Sequence, residues 1–233
     1  MRTPRPLARA SRALLCSFAA ILPLVLVPAC ETTTPAPMEP FKRHRLESLS
    51  RALDAARQAQ QASRDGISQS FEQTSLDLLP VDAGRQQLED AYDLARRDLA
   101  TNQTRVRVAR ERLTQAERRG TDLFAEWDKE IGYYADSALE AQARAGYNQA
   151  KARFDEALQA LVKANELTPP LLVELSDRML YFKHHRDQPD LVEPVRTPQR
   201  VEAMARAREA MSAATDAASV AVSRFAEAEA GGN

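Results

Sequence analysis

One stretch constrains this chain more than any other: Leu88 to Tyr134 reads as a single very long helix. Steps of alternately four and three residues from Leu88 land on Tyr92, Ala95, Leu99, Asn102, Val106, Ala109, Leu113, Ala116, Gly120, Leu123 and Trp127, and only Asn102 and Gly120 interrupt the apolar run. A 4-3 alternation held that long marks a coiled-coil seam. About fifty residues rising roughly 1.5 Å each make a rod of about 75 Å. A rod with one apolar stripe cannot fold alone, so other helices must lie along it.

The remaining chain supplies them. Leu46, Leu49, Leu53, Ala56, Ile67 and Phe71 give a first helix over about Lys42 to Leu76, with a polar middle at Gln60 and Ser63. Pro80 and Gly84 punctuate a loop before the long helix, which runs from about Arg85. Asp136 or Ser137 caps a third helix, and Ser137 with Glu140 fits a capping box. That helix uses Leu139, Ala143, Tyr147, Ala150, Phe154, Ala157 or Leu158, Leu161 and Ala164 until Thr168-Pro169-Pro170 interrupts it, because an interior proline loses a backbone hydrogen bond and clashes with the preceding turn. A fourth piece spans Leu171 to about His184, and Asp187 to Pro198 is a proline-rich loop. Pro198 opens the last helix, whose seam of Met204, Ala207, Met211, Ala214, Ala218, Ala221, Phe225 and Ala228 ends before Gly231-Gly232. The expected fold is all-α: an elongated antiparallel helical bundle or coiled coil, built on one long helical hairpin with two shorter helices packed along it.

The N-terminus reads differently. Arg2, Arg5, Arg9 and Arg12 precede an apolar run, Ala13 to Ala29, that is short for a membrane span and suits a secretory signal. Val27-Pro28-Ala29-Cys30 resembles a bacterial lipobox, which would make residues 1–29 a removed lipoprotein signal peptide and Cys30 the lipid-bearing first residue; the alternatives are an uncleaved N-terminal anchor and an ordinary signal peptide with a chance cysteine. Cys16 falls in the removed part, so no second mature cysteine is left for a disulfide or a metal site. Residues 30–41 then form the lipidated cysteine and a proline- and threonine-rich tether, residues 42–230 the helical domain, and 231–233 a tail. Removing four arginines from the total of 32 basic residues leaves 28 against 33 acidic, or −5, which argues against nucleic acid as a partner.

Three short stretches, Leu123-Phe124-Ala125-Glu126-Trp127, Arg153-Phe154 and Met179-Leu180-Tyr181-Phe182-Lys183-His184, resemble the bacterial lipoprotein family of domain of unknown function 2959, over about Leu46 to Phe225. The resemblance implies a helical envelope lipoprotein and implies no activity. The chain departs from the family after His184, where it continues His185-Arg186-Asp187-Gln188-Pro189.

Phosphate-binding, dinucleotide-binding, zinc-protease and nucleophile-elbow motifs are all absent from the sequence. No cofactor is implied and no enzyme is expected. The one metal-like group is His184 and His185 with Asp187 and Asp190, but adjacent helical histidines point about 100° apart. A small-ligand or metal-binding module at that corner is the alternative to the main reading, a non-enzymatic spacer or adaptor of the cell envelope on its periplasmic side. Equal lengths for the long helix and the broken third and fourth pieces leave the first and last helices covering about two-thirds of the hairpin. The tip, Leu123 to Phe154, holds six of the twelve mature aromatic residues; Phe124, Trp127, Tyr133, Tyr134 and Tyr147 are its candidate interaction surface, the other reading being that a two-helix tip needs such large side chains to make a core at all. The partners this implies are a membrane, through the lipid, and an envelope protein of unknown identity, while self-association is compatible with such a seam.

Small-angle scattering of the mature chain should return a maximum dimension well above the roughly 50 Å of a compact globule of this length. A compact profile would show that the long helix breaks.

Overall fold

In the computed structural model, residues 40–74, 84–187 and 198–230 are described, all within the second of two units, Met1–Pro35 and Ala36–Asn233. Cys30, the tether, the two loops at 75–83 and 188–197, and the tail lie outside the described residues. Every regular element among the described residues is a helix: α1 Pro40–Gln73, α2 Arg85–Ile131, α3 Ser137–Glu166, α4 Pro169–Asp187 and α5 Pro198–Ala230. None of them is long and apolar enough to cross a membrane.

The 47 residues of α2 organise the rest. Leu88, Ala95, Leu99, Asn102, Val106, Ala109, Ala116, Gly120, Leu123 and Trp127 are buried, and Tyr92 and Leu113 are half-buried, so the 4-3 seam is the face that the other helices cover. The helix ends at Ile131, three residues before the expected Tyr134, because the chain tightens at Gly132: the Tyr133 and Tyr134 amides donate to Glu130 and Ile131 carbonyls at 3.1 and 3.3 Å. Asp136 is the cap of α3, its carboxylate accepting from the Ala138 amide at 2.8 Å. Ser137 is therefore the first helical residue, and the expected capping box built on it is not the one used.

Cross-chain contacts fix the directions. Arg45 pairs with Glu126, and Asn102 donates to Ser70 Oγ at 2.7 Å, so α1 runs antiparallel to α2. Arg144 pairs with Asp128 near the start of α3, and Arg186 lies over the Tyr92 ring at 5.0 Å at the end of α4, so α3 and α4 return along α2 in succession. Gln61 donates to Ser219 at 3.1 Å and Arg64 pairs with Asp216 at 2.7 Å, placing α5 beside α1 in the opposite sense. The result is an up-down bundle in which the third position is shared by α3 and α4. At their junction Thr168 is fully buried, its hydroxyl donates to the Asn165 carbonyl at 2.8 Å, and its own carbonyl accepts from Leu172 at 3.1 Å. The prolines therefore fall at the first turn of α4, which begins at Pro169 and not at Leu171, where missing amide donors cost little.

The core is in two parts. One joins Leu46, Leu49 and Leu53 of α1 to Leu123, Phe124, Trp127 and Ile131 of α2, Phe154 and Leu161 of α3, and Ala218, Ala221 and Phe225 of α5. The other joins Ile67 and Phe71 to Leu99, Val106, Leu171, Leu175 and Met211. Between them in sequence on α1 and α5 come buried Gln60, Ser63 and Thr215, the polar middle expected from the first helix. The expectation that α1 and α5 stop short of the aromatic end is corrected here. The first apolar layers of α1 and the last of α5 share a cluster with Trp127 and Phe154, so four helices enclose that end, and it is the Leu88–Ala95 part of α2 that lies beyond Phe71 and beside α4.

Both breaks in the seam have a packing reason. Asn102 is 1 % exposed and also donates to the Gly66 carbonyl, at 3.3 Å, where a side chain on Gly66 would collide with Asn102 and Arg105. A methyl group on Gly120 would sit inside the Phe154 ring. Gly120→Ala should therefore destabilise the protein by about 1 to 3 kcal/mol through overpacking, in spite of the better helix propensity of alanine. In a Phe154→Leu background the same substitution should cost much less, and denaturant unfolding of the four proteins of the cycle measures the coupling.

Candidate functional site

The aromatic end is assembled from three helices. Phe124 and Trp127, three residues apart on α2, stack with ring centroids 6.1 Å apart and planes at 12°. Tyr147 of α3 meets both edge-on, at 5.7 and 5.8 Å, and Phe154 closes on Phe124 at 5.5 Å and on Phe225 of α5 at 6.5 Å. These offset and edge-to-face arrangements suit ring quadrupoles and tie α2, α3 and α5 together. Cations lie over the outer faces: Arg144 is 5.6 Å from the Tyr147 ring and Lys151 is 6.0 Å from Phe124.

The five residues expected at an interaction tip thus separate by depth. Phe124 and Trp127 are buried, at 4 % and 6 % exposure, and Tyr147 is half-buried against them. Tyr134 is half-buried in the turn, whereas Tyr133 is 85 % exposed. Leu139, which sequence periodicity places on the α3 seam, is 46 % exposed and stands with Tyr133 at the α2–α3 corner. The first turns of α3 project past the layer where α1 and α5 pack, which is why the seam pattern overstates burial there. Glu126 is exposed and pairs with Arg45, on the flank of a shallow groove of about 250 Å³ that Arg119, Asp122 and Ser48 also line.

The histidine corner is arranged differently from a metal site. His184 is exposed, and His185 packs its ring 4.2 Å from that of Tyr181, whose hydroxyl is 3.0 Å from His185 Nε2. Burial pushes the His185 imidazole below its ordinary value of 6.5 and the Tyr181 phenol above its own. Asp187 bonds to Arg186 at 2.8 Å, and that bond holds its carboxyl below the usual range. Asp190 lies outside the described residues, and no group of three or more metal-type ligands occurs among those described.

A polar knot that the seam pattern did not single out lies where α1, α4 and α5 meet. Glu174 is 8 % exposed and accepts from Arg178 at 3.3 Å and Arg200 at 2.8 Å, and Arg200 also reaches Asp177 at 2.5 Å. Arg178 lies 4.4 Å over the Phe71 ring and donates to the Phe71 carbonyl at 3.1 Å, so it satisfies the C-terminal carbonyls of α1. Burial lowers the Arg178 pKa, with the Glu174 hydrogen bond opposing that shift. The i, i+4 spacing of Glu174 and Arg178 was readable in the sequence, but their attachment to α1 and α5 was not.

The family model described as "Protein of unknown function (DUF2959)" matches residues 36–192. No curated protein and no solved structure matches the chain.

Replacing Trp127 with alanine should cost about 3 to 5 kcal/mol in denaturant unfolding, because a large buried ring is removed from a cluster of five. Tyr133→Ala should stay within about 0.5 kcal/mol of wild type. Similar costs at the two positions would show that the turn is packed and not exposed.

Proposed function

Because this chain belongs to the DUF2959 family of proteins of unknown function, which brings no activity with it, we propose on physical grounds that it is a non-enzymatic, lipid-anchored helical spacer or adaptor of the bacterial cell envelope. The observation that carries this reading is the continuous helix α2 with its largely buried seam, which makes a strut of 47 residues, or about 70 Å, braced along its length by other helices. Two core clusters filled by leucine, alanine and aromatic side chains give the strut stiffness. Support for the anchor comes from the sequence alone: four arginines, an apolar run and Ala29-Cys30, followed by a tether that ends where α1 begins. The tether would hold the strut by one end.

The test has two arms. Cells fed a fatty-acid analogue should label the wild type and leave Cys30→Ser unlabelled and released from the membrane fraction. Lipidated protein on a supported bilayer should form a layer about 70 Å thick or more by neutron reflectometry. Equal labelling of both proteins overturns the anchor, and a layer of about 20 to 30 Å, the thickness of a bundle lying flat, overturns the spacer.

A further inference from the structure

The reading of the chain as a lipid-anchored strut leaves open how its lower end meets the bilayer, and the α2–α3 corner bears on that. Tyr133 is the most exposed of the large hydrophobic side chains, at 85 %, and Leu139 lies six residues on at 46 %. The corner is also prepared for a poorly hydrated setting. Its Tyr133 and Tyr134 amides are already bonded within the turn, and the Asp136 carboxylate is occupied by the first amides of α3. Asp128 is paired with Arg144, so two of the corner's carboxylates are compensated locally. Beneath the corner the stack of Phe124, Trp127 and Tyr147 makes a rigid base.

The tether decides what this corner faces. Arg45 pairs with Glu126 and Leu46 clusters with Trp127 and Ile131, so the start of α1 is at the same end of the bundle as the corner. Only nine residues, 31–39, separate Cys30 from Pro40, a reach of roughly 30 Å. A lipid at Cys30 therefore keeps this end, and not the opposite end of the bundle, close to the bilayer.

We propose that the α2–α3 corner seats in the headgroup layer of the same membrane that holds the anchor, with Tyr133 and Leu139 as the inserted side chains, so that the bundle stands end-on. Tyrosine is favoured at that depth because its ring is apolar and its hydroxyl stays wet. A single tyrosine and leucine bind a membrane weakly on their own, but the tether makes the contact intramolecular and raises the effective concentration of the corner at the surface. The occupant is a lipid surface recognised by aromatic insertion, not by charge. Binding at the corner should change little with salt. This inference rests on the lipid anchor proposed above.

The test uses the full lipidated chain in vesicles of phosphatidylethanolamine and phosphatidylglycerol carrying brominated acyl chains. In a Trp127→Phe background, the fluorescence of Tyr133→Trp should be quenched at least twofold more than that of Val201→Trp, at the far end of the bundle. In the unsubstituted protein, amide exchange over residues 132–139 should slow severalfold on vesicles relative to detergent, with no such change over residues 198–205. This second arm holds if the double substitution fails to fold. Protein that floats with the vesicles but shows neither effect overturns the docking and leaves the anchor standing. Protein that does not float overturns the anchor, and the docking with it.

Discussion

Forty-seven residues of helix with one apolar stripe impose a covering problem, and the bundle is its solution. No other helix among the described residues is as long, so the stripe is covered in relay: α1 from Trp127 to about Leu99, α3 over its C-terminal half, and α4 over its N-terminal half. The relay works only if α3 approaches α2 closely enough to turn its aromatic side chains inward. Gly120 permits that approach by giving Phe154 a place against the α2 backbone, and the ring then reaches Phe124 and Phe225. A residue that looks like a defect in the seam is the point where three helices are brought together.

Much of this was legible in the sequence because helical periodicity is local information. The seam of α2, the stop before Pro169, the start at Pro198 and the polar middle of α1 all follow from spacing, prolines and residue size. What spacing does not carry is register between helices. The depth to which α1 and α5 overlap the aromatic end depends on which leucine layer meets Trp127, and Leu46 does so through contacts made across more than eighty residues of chain. For the same reason Tyr133 and Leu139 could be placed at the tip but not ranked by exposure, and Arg178 could be paired with Glu174 but not with the end of α1.

Charge plays a supporting part. Exposed pairs such as Arg107 with Glu111 and Arg206 with Glu202 are ordinary helix-face pairs, worth a few tenths of a kcal/mol each. The Glu174 knot is different in kind, since burying a carboxylate at 8 % exposure requires the two arginines that meet it. It lies where α1 ends, away from the aromatic stack, with the Leu88–Ala95 part of α2 continuing beyond it beside α4. Rings thus hold one end of the bundle together, and an ionic network fixes the C-terminus of α1 to α4 and α5.

The division of the core by Gln60, Ser63 and Thr215 has a mechanical meaning if the molecule is loaded at one end. Apolar burial is the cooperative part of a bundle, and a polar layer interrupts it, so the aromatic half and the half around Phe71 form two units that can yield separately. Tension entering through the N-terminus of α1 reaches the aromatic unit first, where Leu46, Leu49 and Leu53 must be peeled from Trp127 and Phe225. A local opening at that end would then meet side chains that water can solvate, so the polar layer would act as a crack-stop in front of the distal half.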